Sequence, residues 1–216
     1  IDTDSLILAI GHSARDTFEM LFSHNLLMER KSFSMGVRIE HPQSLINEAL
    51  YHKFKDKLPP ADYKAAVHLK DGRGVYTFCM CPGGTVVAAS SEENTVVTNG
   101  MSNFLRDGEN ANSALLVSIL PTDFNDNDIF SGMKLQRSLE KSAYFMGGAN
   151  YNAPVQTVKD FLSGQKSVSL GNVTPTYPVG VTPSELGKLF PSFITNSLRE
   201  AIPMFDRKIK GFALDD

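Results

Sequence analysis

The sequence contains no run of apolar residues approaching the ~20 that a membrane-spanning helix requires, so it predicts no membrane segment. Its net charge is only −3, which gives no electrostatic reason to expect nucleic acid or an anionic membrane as a partner. Two cysteines in 216 residues do not make a disulfide scaffold, and we therefore expect a reducing, cytoplasmic setting. Hydrophobic residues make up 42% of the chain, enough to bury the core of a soluble domain.

Recognised motifs for cofactor binding and catalysis are also missing. No Walker loop, H-E-x-x-H, G-x-S-x-G or EF-hand loop occurs, and no G-x-G-x-x-G follows a strand. The segment from Gly72 to Thr77 comes near this pattern but ends in threonine. The chain alone therefore lacks a recognisable way to hold a dinucleotide. No signal peptide is visible, and the sequence begins almost inside an apolar run, so we expect a fragment of a longer protein.

Cysteines, glycines and asparagines concentrate between Tyr76 and Leu116, where we expect any site to lie. Apolar runs predict strands over 75–80, 85–90 and 113–120, and a third apolar run covers 95–98. The dipeptides Asn99-Gly100 and Asp107-Gly108 predict turns. The polar residues at and after these turns form either a surface loop or a binding site pinned to a rigid strand. These residues are Asn99, Ser102, Arg106, Glu109, Asn110 and Asn112.

The two cysteines lie two residues apart, beside a Pro-Gly-Gly corner. On an extended strand Cys79 and Cys81 share a face with Cα atoms about 7 Å apart, so a disulfide between them would be strained. No further cysteine or histidine lies nearby in sequence to complete a zinc site. The thiols are then either small buried hydrophobes or functional groups. Gly83 and Gly84 can adopt positive φ, either to close a hairpin or to let a planar ligand approach the backbone.

The segment Ser34–Glu40 alternates between apolar and polar residues, which predicts a half-buried strand. Arg38 and Glu40 share its polar face, where they either meet solvent or line a cleft together with His41. Earlier in the chain, the apolar run Ser5–Ile10 predicts a buried strand that leads through Gly11, His12 and Ser13 into a helix. This is either a plain β–α turn or a ligand-binding edge, since α/β sheets bind ligands at such turns.

The second half of the sequence predicts helices. An amphipathic stripe over 129–146 ends at a double glycine, and a short helix over 154–162 ends at Gly164. Thr182–Glu185 forms a capping box that predicts another helix start, and apolar residues recur at helical spacing over 192–202. The chain is therefore predicted to be an α+β protein, rich in strands over 31–120 and helical over 121–210.

Several blocks of sequence resemble, in order, the bacterial FAD-dependent dehydrogenases of undefined function that are described as NAD(FAD)-utilising dehydrogenases. The match covers nearly the whole chain. The blocks are LILAIGHSARDTFEML, GVRIEHPQ, VYTFCMCPGGTVVAASSEENTVVTNGMS, RDGENANSALLVS, GGANYNAPVQTVKDFL and FDRKIKGF.

This resemblance implies a particular domain organisation. Residues 1–30 are expected to be the terminal strand and helix of an FAD-binding domain. Residues 31–216 are expected to be an inserted substrate or cap domain: a mixed, mainly antiparallel β layer with appended α-helices, inserted into an FAD/NAD(P)-binding, Rossmann-like oxidoreductase. The cofactor of the intact protein would be FAD, with NAD(P) as a further candidate. We do not expect FAD on this chain alone.

The resemblance and the clustering together predict a set of site residues. The residues predicted to be catalytic are Cys79, Cys81, His41 and Arg38. The residues predicted to bind the cofactor are Gly11, His12, Ser13, Arg15, Gly83 and Gly84. The residues predicted to bind substrate are Asn99, Ser102, Arg106, Asn110 and Asn112. We expect no metal.

The expected partners are a small-molecule substrate and the remainder of the flavin-binding domain, with no nucleic acid and no membrane. Two alternatives stay open at this point. One is a non-catalytic binding or interaction module. The other is a metal site made by the two thiolates.

Overall fold

The computed structural model describes residues 2–124 and 126–214. The strands are β1 (Phe33–Pro42), β2 (Ala66–His68), β3 (Gly74–Cys81), β4 (Gly84–Ala88), β5 (Thr98–Ser102), β6 (Asn110–Ile119), β7 (Ala153–Val155) and β8 (Val181–Pro183). The helices are α1 (Arg15–Ser23), α2 (Gln43–Tyr51), α3 (Ser131–Met146), α4 (Val158–Ser163) and α5 (Ser192–Asp206). Short 3₁₀ helices cover His52–Phe54, Pro121–Asp123 and Leu186–Lys188.

Four strands form the main antiparallel sheet, in the order β1-β6-β3-β2. β1 and β6 pair along their full ten residues, with Arg38 opposite Ala114 and Glu40 opposite Asn112. Two smaller sheets complete the β structure: β4 pairs with β5 in antiparallel fashion, and β7 pairs with β8 in parallel. The predicted α+β class with mainly antiparallel sheets is therefore confirmed.

The two faces of the main sheet pack against different layers. One face presents Ile39, Leu115 and Val117 to α2 and α5, whose Ile46 and Leu198 are fully buried against it. These contacts form the larger core, since alternate residues of each strand point to the same face. The opposite face carries Arg38 and Glu40 and is covered by the β4–β5 pair and α3.

A second, smaller core lies in this covering layer. Val86, Val96, Ala143 and Tyr177 are buried together there. The chain thus has three layers: helices, the main sheet, and a mixed layer of short strands and α3. A polar strand face between two layers positions the candidate site.

The sequence predictions for the main strands and for α3 and α5 are confirmed, and α4 ends at Gly164 with the expected left-handed backbone (φ 73°). The strand predicted for Ser5–Ile10 is not formed in the described chain, where this segment has no hydrogen-bonded neighbour of the kind that a strand needs. Two other local predictions are wrong. Asn99-Gly100 lies inside β5 and not in a turn. Thr182 and Pro183 belong to β8, so no α-helix starts there.

The N-terminal segment is attached to the second layer by a buried ion pair. The Arg15 side chain is only 2% exposed and donates two hydrogen bonds to the Glu140 carboxylate of α3, at 2.9 and 2.7 Å. Glu92 lies 3.2 Å from the same guanidinium and also pairs with Arg137. Across residues 2–124 and 126–214, no helix has both the length and the apolar character needed to cross a bilayer.

Candidate functional site

Arg38 connects several residues that the sequence analysis singled out. Its Nη1 donates to the backbone carbonyl of Cys79 at 3.3 Å and to Oδ1 of Asn112, and its Nη2 donates to Oδ1 of Asn99 at 3.2 Å. These contacts join β1, β3, β5 and β6 at one point. We call Arg38, Asn99, Asn112 and the Cys79 carbonyl the Arg38 cluster. The strand order brings together residues that are up to 74 positions apart in sequence.

Gly100 makes this cluster possible. A Cβ built on Gly100 would lie 2.8 Å from Cζ of Arg38 and would overlap Oδ1 of Asn112. Glycine at this position leaves the space that the side chains of Arg38 and Asn112 occupy, and it does not serve a turn. Asn112 itself is fully buried, and its Nδ2 has no hydrogen-bond partner among the described residues.

Glu40 forms a second polar group on the same strand face. Its carboxylate accepts hydrogen bonds from the backbone N–H and the hydroxyl of Thr176, the latter at 2.6 Å, and from Nδ2 of Asn110 at 3.2 Å. Asn110 also donates to the Thr174 carbonyl at 2.9 Å. The loop over 174–176 is thereby held against β1 and β6. Asn110, predicted to bind substrate, is thus engaged within the chain.

A cavity of about 400 Å³ lies between the polar strand face and the covering layer. Arg38 and Glu40 form part of its wall, together with His12 from the N-terminal segment. The remaining wall is mainly apolar and includes Val86 and Leu139. A smaller cavity of about 110 Å³ shares Arg38 and Glu40 with the first. Protein pockets that bind small molecules typically measure about 300–1,000 Å³, so the larger cavity has room for a ligand.

The two cysteines are free thiols in different environments. A bulge interrupts the β3–β6 pairing between Phe78 and Cys81, and Cys79 adopts a left-handed backbone with φ 46°. Cys79 is therefore exposed and Cys81 is buried, so the predicted common face is wrong. Burial raises the pKa of the Cys81 thiol, the neighbouring Cys79 raises it further, and Arg38 opposes both effects.

Gly83 and Gly84 allow close approach by other parts of the chain. Gly83 (φ 50°) accepts a hydrogen bond on its carbonyl from the N–H of Gly108 and donates its own N–H to Oε1 of Gln43 at 2.7 Å. A Cβ on Gly84 would lie 2.6 Å from the Met101 carbonyl oxygen. These glycines neither close a β3–β4 hairpin nor present open backbone, since β3 and β4 belong to different sheets.

Ser102 ends β5, and Arg106 lies on the following loop, which crosses Gly83. The Ser102 hydroxyl donates to the Pro82 carbonyl at 2.7 Å. Arg106 has a left-handed backbone (φ 53°), an exposed side chain and no side-chain partner among the described residues. Neither residue lines the cavity, so their predicted substrate contacts remain predictions.

His41 lies on the opposite face of β1 from Arg38, and the predicted grouping of His41 with Arg38 and Glu40 is wrong. Its Nε2 is 2.9 Å from the Phe212 carbonyl, and its ring packs against the Phe212 ring with centroids 4.8 Å apart. Strand alternation explains this, since residue 41 shares a face with Ile39. Burial lowers the pKa of His41, although its hydrogen bond to Phe212 opposes the shift.

The residues predicted to bind the cofactor near the N-terminus occupy two environments. Gly11, His12 and Ser13 are exposed, and His12 reaches the cavity wall. Arg15 is buried in its pair with Glu140. The expected remnant of the FAD-binding domain covers residues 1–30, and its first residue, Ile1, lies outside the described residues.

Sequence reasoning missed two contributors. Gln43 fixes the glycine corner through Gly83, and Thr176 fixes Glu40. Neither residue lies in a motif, because each acts through hydrogen bonds to segments that are distant in sequence. In the described ranges, no group of three or more His, Cys, Asp or Glu side chains is placed to hold a metal ion.

Comparison with known families identifies the kind of protein to which this site belongs. The family model described as "FAD-dependent protein, C-terminal domain-like" matches residues 32–216. The chain belongs to this family. The resemblance inferred from the sequence is thereby confirmed, while insertion into a Rossmann-like domain and the division at residue 30 remain predictions.

A relative of this FAD-dependent protein domain comes from Clostridium beijerinckii (strain ATCC 51743 / NCIMB 8052) and is described as an uncharacterized protein. The two sequences are 50% identical over 219 residues, which cover all of this chain and 41% of the relative. The chain thus spans less than half the length of the protein that it matches.

The residues of this domain fit one end of FAD and not the whole molecule. The larger cavity has the volume and the apolar walls that a ring-sized group requires. Nδ2 of Asn112 is a buried donor without a partner in the described structure, and the edge of a flavin ring presents acceptors. The sequence has no glycine-rich loop for the phosphates.

Proposed function

We propose that this chain is the cap domain of an FAD-dependent oxidoreductase, in which it covers the flavin ring and forms one wall of the substrate pocket. The observation that carries the proposal is the position of the cavity beside an unpaired apolar segment. His12 lines the cavity and follows this segment, Ser5–Ile10, by only two residues. A sheet that pairs with the segment would therefore lie at the mouth of the cavity.

The exposure of this segment supports the proposal. Ile7 is 90% exposed and Leu6 is 77% exposed, although both are strongly apolar. Contiguous exposed apolar residues mark a surface that another element covers. More than half of the C. beijerinckii relative lies outside the matched region, so a flavin-binding domain there has room to supply that element.

The positions of the site residues support the roles that we propose for them. FAD, when bound, supplies the hydride chemistry, and electrons come from the substrate or from a nicotinamide. Arg38, with Asn99 and Asn112 fixing its guanidinium, orients the substrate. With the flavin-binding domain in place, the layers on both sides of the cavity would help to exclude water. The intact protein would act in the cytoplasm on a small molecule.

A redox role of the two thiols toward the flavin stays a hypothesis, since neither cysteine lines either cavity. Replacing Cys79 and Cys81 by serine in the intact protein tests this role. We expect slower flavin reduction or reoxidation in stopped-flow absorbance measurements. Unchanged rates would leave the cysteines as packing groups only.

The cap-domain proposal is tested by flavin retention in the intact protein. We expect the purified protein to show flavin absorbance near 450 nm in the oxidised state, a property of flavins in general. The substitution Ile7→Asp places a charge in the apolar segment and should lower the amount of bound FAD. Val168→Asp is the matched control, since Val168 is also 88% exposed but lies in a different loop. An intact protein that binds no FAD would refute the proposal.

A second candidate function, a non-catalytic interaction module, is favoured by a different surface. Phe104 is 99% exposed, Leu105 70% and Met101 63%, all near the end of β5. This function predicts an intact protein that neither binds FAD nor reduces a substrate, and whose partner dissociates on Phe104→Asp. Measuring flavin content and partner binding on one preparation separates the two functions.

A further inference from the structure

One guanidinium on the cavity wall has no counter-ion in the described part of the chain. Arg15, Arg73 and Arg137 each pair with a carboxylate at 3.5 Å or less. Arg38 lines both cavities, yet no described carboxylate lies within ion-pair distance of it. Arg106, Arg199 and Arg207 also lack a carboxylate partner among the described residues, but none of them lines either cavity.

The partners of Arg38 are all neutral oxygens: one backbone carbonyl and two side-chain amides. They fix the position of the guanidinium but do not neutralise it. Its Nε–H is buried without a partner among the described residues. A partly buried cation is unfavourable unless an anion accompanies it, so a bound anion would be stabilised here. Arginine pairs with carboxylates through two parallel hydrogen bonds.

The nearby Glu40 does not fill this role. Its carboxylate is already held by Thr176 and Asn110 through an N–H, a hydroxyl and an amide. These donors direct Glu40 toward the 174–176 loop. The positive charge of Arg38 is thereby left for a ligand.

The rest of the cavity surface favours a ligand that is apolar beyond its anionic group. Val86, Val96 and Ala143 of the second core form part of its wall. The smaller cavity continues past Arg38 and is lined by Phe161, Ile202 and other apolar residues. A charged or sugar-like body would lose hydration against these apolar residues, which make up most of the wall.

We propose that the substrate is an apolar carboxylic acid whose carboxylate pairs with Arg38. The inference rests on the proposed function only for the assignment of this cavity as the substrate pocket. We infer the chemical class of the substrate from the charge of Arg38 and from the apolar walls of the cavity.

Isothermal titration of the intact protein tests the class with two probes of equal shape, 4-phenylbutyrate and 4-phenylbutyramide. We expect the acid to bind about tenfold more tightly or better, because a hydrogen-bonded charge pair exceeds a neutral one by that much. Arg38→Met should abolish this preference, and Arg38→Lys, which keeps the charge, should retain part of it. Arg207→Met is the control, since it removes an exposed positive charge outside the cavity.

The outcomes separate this inference from the proposed function. Equal binding of acid and amide, binding of neither, or full preference in both Arg38 variants would overturn it. Equal loss in Arg207→Met would also overturn it, because the effect would then be non-specific. If Arg38→Met does not fold, the wild-type ratio and Arg38→Lys still decide. Flavin content measured in parallel shows whether the cap-domain proposal fails independently.

Discussion

Replacing Gly83 by alanine tests whether the glycine corner is built for contact within the chain. Gly83 has φ 50°, and a Cβ there would lie 3.0 Å from Cα of Arg106 while overlapping its carbonyl oxygen. A left-handed alanine costs about 1–2 kcal/mol, and forcing two backbone segments apart costs about 1–3 kcal/mol more. We therefore expect the free energy of unfolding to fall by about 2–5 kcal/mol.

Gly72 provides a matched control. It also has positive φ, at 84°, but nothing lies within 4 Å of a Cβ placed there. Gly72→Ala should therefore lose only the conformational part, about 1–2 kcal/mol. Urea unfolding followed by far-ultraviolet circular dichroism suits the comparison, since the chain has no tryptophan. Equal destabilisation by the two substitutions would refute the close approach at Gly83.

Three further predictions follow from the site. Burial lowers the pKa of His41, so on acidification the unfolded chain takes up a proton at this residue before the folded chain does. The free energy of unfolding should therefore fall as pH drops below about 6.5, by up to about 1.4 kcal/mol per pH unit. His41→Leu should reduce this pH dependence in urea unfolding. Exposed Cys79 should react with a thiol reagent at least about tenfold faster than buried Cys81, whose pKa is raised; equal rates by mass spectrometry would contradict the geometry. Gly100→Ala should displace Arg38 and weaken 4-phenylbutyrate binding about tenfold, with circular dichroism unchanged.

Three strands of the main sheet were predictable because their signal is local. Alternation over 34–40 and the apolar runs over 75–80 and 113–120 identify β1, β3 and β6, whereas the strand order and the short β2 were not predicted. The end of α4 at Gly164 was predictable for the same reason, since a left-handed cap depends on one residue.

The failures have causes that lie far away in sequence. Asn99-Gly100 is a strong turn signal, yet the glycine serves the guanidinium of Arg38, 62 positions earlier. The capping box at 182–185 was overridden because Thr182 pairs with Pro154 in the β7–β8 sheet. Local propensity is a weak guide where tertiary contacts decide the conformation.

The candidate site was predicted in part. Arg38, Asn99 and Asn112 were singled out from the sequence, and the structure brings them into contact. Alternation alone places His41 on the core face, two residues after Ile39, so this error was avoidable. Thr176 had no sequence signal, because its role depends entirely on the position of Glu40.

The buried pair between Arg15 and Glu140 has a mechanical consequence. Separating the two would leave an unpaired charge in the interior, at a cost of about 3–5 kcal/mol. The pair therefore connects helix α1 to α3. Because α3 contributes Leu139 and Glu140 to the cavity wall, we expect a displacement of the N-terminal segment to be transmitted to the pocket through this contact.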